Sequence, residues 1–522
     1  MTVAVPALAD WTSPPPGPDA RIVYVSSSQG SDANDGLSEE APKATIAAGF
    51  ALLRPGQGDY LLLQRGDTFP LASTLVWNKG GASAQEPMVF GAYGEGPRPV
   101  IDPANAEAMH VTPGFQSANT VRHLAVVGLN FRSGQRDFTR PGFDIAAAIP
   151  GHLGIRSVGV QTTAPQIVED LLIEDCKFEF LGQGIVLEGP YSDSVQDVRL
   201  RRNVIVDTYV TNGDTNGVFV SNVRGLLMEE NLIDGIQRAP GLRPDLVRSS
   251  LSHAVYVQST SRDVTLRNNI FTRAFDGGMM RPGGVYEGNL VVEATIGNHL
   301  GYLFSASAPI ITEGVEVRVT GNAFLAVGAN QAIQGGNLRA GLIRDNLMLS
   351  GASTGGSGIS LIGESFLGQF GVHNLVIEDN FILGLRGLNA YGPSISNVIV
   401  RDNRFRASSG FVVELLNYER NDYTFAGNAY RSQSPANQWF RINQSTNYDL
   451  AGWTAFVGES GATTAPFADP ASAPGVESYH ASIGGAPTLA AFLAEAREQS
   501  RQNWRDAYTA DPVINYLRQQ LH

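Results

Sequence analysis

Apolar and polar residues alternate in short runs along most of this chain, and run after run closes on an Asn followed by an apolar residue. The text reads VRLRRNVI, LLMEENLI, VTLRNNIF, VYEGNLVV, VRVTGNAF, GLIRDNLM, LVIEDNFI, VIVRDNRF and YTFAGNAY, with the Asn at 203, 231, 269, 289, 322, 346, 380, 403 and 428. VIVRDNRF has a polar residue after its Asn, and LLIEDCKF is an earlier copy with Cys176 in the same slot. Period-two alternation is a strand signal, and its recurrence at spacings of 20 to 38 residues marks the coils of a solenoid, with insertions absorbed in the turns. Stacked coils form parallel sheets with Val, Ile, Leu and Phe inward. The Asn column predicts a hydrogen-bonded ladder that satisfies the bent backbone at one turn.

The flanks depart from this pattern. Residues 1–20 are Pro-rich and read as an arm. In residues 21–87, Ile22 and Tyr24 alternate as a strand, and Lys43–Leu53 carries a helical pattern (Ile46, Phe50, Leu53) stopped by Pro55-Gly56. A helix there covers the open end of a solenoid, which otherwise exposes apolar side chains and unpaired backbone. Coils occupy 88–435. In 436–522, Leu489, Phe492, Leu493 and Ala496 share one helical face, followed by Trp504, Tyr508, Val513, Tyr516 and Leu517. This region is expected to close the far end or fold back along the coils. The fold class is an all-β solenoid.

Composition narrows the functions. With 43% hydrophobic and 17% charged residues and 58 Gly in 522, the chain suits short buried strands and turns. A net charge of −13 disfavours nucleic acid as a partner. Lys43, Lys79 and Lys177 are the only lysines, so a lysine base has few candidates. The single cysteine, Cys176, excludes an internal disulfide and a cysteine zinc site, and reads as a buried, inert thiol. No run of 18 apolar residues is present, so membrane insertion is not expected. Ala7-Leu8-Ala9 has the small-residue look of a signal-peptide end without a basic start. Asp32-Ala33-Asn34-Asp35-Gly36 faintly matches a calcium loop but lacks the remaining ligands, so it reads as a polar turn and no metal ligands are assigned.

Aligning coils by their Asn places Gly184–Glu188, Gly217–Ser221, Ala254–Gln258, Gly277–Arg281 and Gly301–Ser305 as equivalent strands. Period two then gives outward columns Val186–Phe219–Tyr256–Met279 and Glu188–Ser221–Gln258–Arg281, preceded by Gln183–Asn216–His253–Asp276. His253 falls beside Asp276, with Tyr256 and Arg281 on the same face. Asp214, His299 and Tyr302 approach from adjoining turns. The long turn before His253 carries Arg238, Arg243 and Arg248, which would clamp an anionic sugar or merely decorate an edge. These residues fit proton abstraction next to a uronate carboxylate: Arg281 holds the carboxylate, His253 oriented by Asp276 is the base, and Tyr256 serves as acid, base or stacking surface. Gln258, Asp214, Glu188, His299 and Tyr302 join the three loop arginines as substrate contacts. A histidine in such a turn can equally be bonded to backbone alone.

The segments VYVSSSQGSDANDGLSEEAPKATI and PGQGDYLLLQRGDTF, with the NN, EN and DN coil ends, resemble the right-handed parallel β-helix proteins of the pectate lyase superfamily. The resemblance spans roughly residues 21–430, and the tail from Tyr448 is similar to helical ends of some bacterial members. It implies a right-handed single-stranded parallel β-helix with an N-terminal helical cap and a C-terminal helical region. It also implies a secreted or periplasmic protein acting on polysaccharide as lyase, hydrolase or epimerase, with calcium as a family cofactor and none otherwise required. Neither a lysine/arginine lyase pair nor an Asp–Asp hydrolase signature is present. The family pattern thus does not choose the reaction, and the expected function, a lyase cleaving a uronate-containing acidic polysaccharide by β-elimination, rests mainly on the arginines. One alternative is a glycoside hydrolase using Asp214, Asp276 and Glu188, with Glu287 a weaker candidate. The other is a non-catalytic, tailspike-like glycan-binding module. The oligomeric state is left open.

Overall fold

A computed structural model describes residues 10–103, 106–113, 120–144, the backbone of 156–160, and residues 167–210, 213–236, 251–301, 311–326, 331–350, 356–364, 370–464 and 473–521. Within these residues the chain winds through three parallel sheets, coil upon coil. Sheet 1 has 14 strands from Ile22–Val25 to Tyr423–Ala426, sheet 2 has 13 from Thr68–Pro70 to Ala429–Ser432, and sheet 3 has 14 from Leu75–Trp77 to Thr446–Tyr448. Only the last pairing of sheet 3 is antiparallel among those that join the described strands. The molecule is a right-handed parallel β-helix, and one continuous core of inward Val, Ile, Leu and Phe runs its length.

The tight turn from sheet 1 to sheet 2 explains the Asn signature. The residue before each ladder Asn has left-handed backbone, as at Asp175, Glu230, Asn268, Asp345, Asp379 and Asp402, a conformation that Gly, Asn and Asp adopt at least cost. Each Asn then donates its amide to the side-chain oxygen of the Asn one coil on, from Asn203→Asn231 at 3.0 Å to Asn403→Asn428 at 3.0 Å. Cys176 keeps the start of the column: its backbone N–H donates to Asn203 Oδ1, and burial pushes its thiol up to about 12. The far end is closed by a carboxylate. Asn428 donates to Glu459 Oε1 at 2.8 Å, and Tyr430 and Trp453 donate to Oε2 at 2.9 and 3.0 Å.

Both ends of the solenoid are covered. Helix α1 (Ile46–Ala51), capped by Thr45 and held at its C-terminus by Lys79 Nζ on the Phe50 and Leu53 carbonyls, lies over the first coil. The Asp32–Gly36 loop is organised by an ammonium group: Lys43 Nζ donates to the Asp32 and Asn34 carbonyls, while the Asp32 carboxylate accepts from Ala44 and Thr45. At the other end α2 (Leu450–Val457) buries Trp453 against Phe440 and Phe425. Helices α3 (Val476–Ser482), α4 (Leu489–Ala496) and α5 (Ala510–Leu521) fold back along sheet 2, where Tyr479, Phe492, Leu493, Val513 and Leu517 meet its outward Val204, Leu232, Leu290 and Leu347. The N-terminal arm runs beside sheet 1, with Trp11 over Arg202 and Trp504.

Arg497, at the end of α4, clamps this packing by donating to Asp234 Oδ2 at 2.6 Å and to both oxygens of Asp207 at 2.8 and 2.9 Å. Asp234 is fully buried and keeps Arg273 as a second partner, so it is the buried Asp207 that loses its ion pair when Arg497 is removed. Arg497→Ala is expected to loosen α3–α5 by about 3 kcal/mol. The signature is early proteolysis between residues 473 and 521 while the β-sheet circular dichroism persists. Simultaneous loss of both signals would contradict a separately docked region.

Candidate active site

The site is built on the outward face of sheet 3. At the corner entering eight successive strands of this sheet stands a small residue: Gly184, Gly217, Ala254, Gly277, Gly297, Ala332, Gly358 and Gly387. A Cβ at Gly217 would lie 2.4 Å from the inward Ile233 side chain, and one at Gly297 would lie 2.3 Å from the Ala332 carbonyl. Small residues therefore set the register of every outward column.

Strand pairing fixes those columns. Asn216 pairs with His253, and His253 with Asp276. Val186, Phe219, Tyr256, Met279, His299 and Gln334 form the next column. The third begins with Glu188 opposite Ser221 and reaches Arg281 through the coil of Gln258. The sequence alignment thus held up to Met279 and failed one coil later. The strand there is Asn298–Leu300, not Gly301–Ser305, because Gly297 rather than Gly301 occupies the cramped corner beneath Ala332 and Phe324. The four-residue shift moves His299 from an adjoining turn into the Tyr256 column. It leaves Tyr302 past the strand, outside the described residues, as are Arg238, Arg243 and Arg248.

Asp276 is the electrostatic centre. Fully buried, it receives His253 Nδ1 on Oδ2 at 2.6 Å and faces His299 Nδ1 with Oδ1 at 3.3 Å. Burial alone would raise its pKa, but the imidazoles of His299 and His253 outweigh it and hold the carboxyl at about 2. His299 Nε2 contacts Gln334 in turn, so two histidines are oriented by one carboxylate. With Nδ1 engaged, His253 turns Nε2 away from the carboxylate, and its ring lies 4.9 Å from that of Tyr256. The Arg281 guanidinium sits 5.1 Å above the Tyr256 ring, and its Nε has no hydrogen-bond partner among the described residues. Burial raises the Tyr256 phenol. Arg281 opposes that rise and the exposed Asp214 adds to it, so the group is a proton donor at neutral pH.

Other sequence candidates are less central. Glu188 stands three coil steps before Arg281, roughly 14 Å at the usual strand spacing. Glu287 belongs to sheet 1, beside Arg318 at 3.7 Å, and faces away from the site. Gln334 was missed because its coil follows the misplaced one. Aligning AIQGG by its alanine, in register with Gly297, would have found it. No group of three or more His, Cys, Asp or Glu among the described residues is arranged to hold a metal ion. Concavities also lie elsewhere, among them a groove of 880 Å³ over Leu227, Thr265 and Val285 of sheet 1 and a pocket of 450 Å³ at Arg21, Tyr24 and Arg54.

The depressed Asp276 carboxyl also makes stability depend on pH. Its folded pKa of about 2 lies below the ordinary 3.8, so its contribution is present above pH 3.8 and is lost as pH falls toward 2. That contribution is on the order of 2 kcal/mol. Acid unfolding of Asp276→Asn is expected to lack this component between those limits. A variant whose acid-unfolding curve merely parallels the wild type would contradict the ion-pair geometry.

No family model matches this chain, and no curated protein sequence is similar to it. Solved structures do match. A PL6 family alginate lyase is 13% identical with a TM-score of 0.49, covering 76% of this chain and 52% of that one. The GH136 lacto-N-biosidase of Eubacterium ramulus is 15% identical with a TM-score of 0.39, covering 71% and 68%. PfbA, a surface adhesin of Streptococcus pneumoniae, is 10% identical with a TM-score of 0.45, covering 76% and 86%. At these identities the likeness goes no further than the parallel β-helix architecture.

Proposed function

We propose that the protein is a polysaccharide-degrading enzyme that cleaves a uronate-containing chain by β-elimination on the outward face of sheet 3. The observation that carries this is the pairing of Asp276 with two histidines. A carboxylate enclosed by His253 and His299 is spent on orienting imidazoles, and is unavailable as the acid or nucleophile of hydrolysis. Of the remaining carboxylates proposed for hydrolysis, Glu188 and Asp214 stand on adjacent coils but at opposite ends of their strands, roughly 20 Å apart at the usual strand rise, too far to share one glycosidic bond.

In the proposed reaction, Arg281 binds the uronate carboxylate and stabilises the charge that develops there. His253 Nε2 removes the proton next to that carboxylate, and the electron pair forms the new carbon–carbon double bond. The bond to the glycosidic oxygen breaks, and the Tyr256 hydroxyl supplies the proton that oxygen takes. Asp276 stabilises the resulting imidazolium, and His299 and Gln334 hold Asp276 in place. Calcium has no step assigned, since Arg281 supplies the positive charge. A polymeric substrate of this kind is met outside the cytoplasm, in keeping with a secreted or periplasmic location.

Digestion in oxygen-18 water separates the chemistries. Elimination is expected to leave every new chain end unlabelled, whereas label at the new reducing ends would transfer the assignment to hydrolysis. A passive glycan-binding module has less support, because the Phe219–Tyr256 aromatic pair is followed by Met279, His299 and Gln334 rather than further rings.

A further inference from the structure

The column containing Tyr256 and His299 does not stop at Gln334. Pairing carries it on through Ser360, Asn389, Glu414 and Arg441, one residue per coil. These side chains point away from the core, yet Gln334, Ser360 and Glu414 are buried. Outward-pointing polar residues that are buried form the floor of a trough, not a solvated surface. Flanking them, Tyr391 brings its phenol to Gln334 and Ser360, and Arg386 lies 3.4 Å from Glu414. Three polar atoms here are buried without a hydrogen-bond partner among the described residues, Ser360 Oγ, Asn389 Oδ1 and Arg386 Nε. Burying an unpartnered polar group is destabilising, so none of the three is explained by stability.

We propose that this track, from Gln334 to Arg386 and Glu414, binds the sugar units of an extended acidic oligosaccharide on one side of the cleavage point. The inference rests on the carbohydrate function proposed for His253, Tyr256 and Arg281. The polar residues recur at the coil spacing of about 4.8 Å, close to the length of one sugar unit in an extended glycan. Asn389 accepts from a sugar hydroxyl, and Arg386, already beside Glu414, offers its unpartnered Nε to the glycan.

The test measures binding of oligomannuronates and oligogalacturonates from disaccharide to hexasaccharide to the His253→Ala protein. Affinity is expected to rise with length, and Asn389→Ala and Arg386→Ala are expected to lose about 10-fold for the hexasaccharide, equivalent to one bond. Either substitution should shift affinity for the disaccharide less than affinity for the hexasaccharide. Because Asn389→Ala deletes an unsatisfied group, its melting temperature should be no lower than the parent's. A length dependence untouched by both substitutions overturns the track alone. Absence of binding by every glycan overturns both the track and the carbohydrate function beneath it.

Discussion

His253→Ala is expected to lower turnover of an acidic polysaccharide by about 10³-fold while leaving glycan affinity within a few-fold of wild type. Positioned proton transfer contributes roughly 10²–10⁴-fold to a rate, and His253 is the imidazole whose orientation is fixed from both sides. Its Nδ1 is held at 2.6 Å by Asp276, and its ring packs 4.9 Å from Tyr256. Asp276→Asn is the sharper variant, because the amide keeps the shape but can present a donor where the imidazole needs an acceptor. It should lose nearly as much rate as His253→Ala, and the double variant little more, since the two act as one unit. Losses that multiply in the double variant would mean that the residues act separately. Unchanged turnover in His253→Ala would remove the histidine from the chemistry.

Asn322→Ala is expected to produce the largest loss of stability. In the middle of the ladder Asn322 Oδ1 accepts from Asn289 N at 2.8 Å, and its amide donates to the Tyr286 carbonyl at 3.0 Å and to Asn346 Oδ1 at 2.9 Å. All of these groups are buried, so deletion strands a backbone donor and a carbonyl at about 1–3 kcal/mol each. The sum is about 2–6 kcal/mol, read as a shift in the denaturation midpoint at constant slope. Asn322→Asp should be at least as damaging, because it sets an acceptor against the Tyr286 carbonyl. Asn503→Ala is the control: that exposed amide donates to the Glu498 carbonyl and should change stability by less than about 0.5 kcal/mol. Equal effects at the two positions would deny the ladder its structural role.

Sequence reading went furthest where one physical constraint acts on every coil. Inward Val and Ile, the turn Asn and the cramped Gly or Ala before each sheet 3 strand are each demanded by stacking, so they recur and can be aligned. His253 beside Asp276, with Tyr256 and Arg281, followed from that alignment. It broke at the next coil because Gly297 and Gly301 both offer a small residue, and the choice rests on a clash with Phe324 and the Ala332 carbonyl that only a folded neighbour supplies. His299 was therefore named without its role, and Gln334 was not named. The Glu459 cap was illegible for a related reason: it replaces an Asn by a carboxylate from beyond the last coil, outside the repeat. Charge on the loop arginines drew attention to Arg238, Arg243 and Arg248. Those three lie outside the described residues; among the described ones, the residues that the fold brings together are buried and sparsely charged.

The most direct test of elimination at this face follows ultraviolet absorbance of an unsaturated uronate and the count of new reducing ends, in one reaction, over a panel of acidic and neutral polysaccharides. With the wild type, both signals are expected to rise together on a uronate-containing polymer, and both are expected to vanish with His253→Ala. Reducing ends that accumulate without absorbance would contradict the account and return the chemistry to the carboxylates.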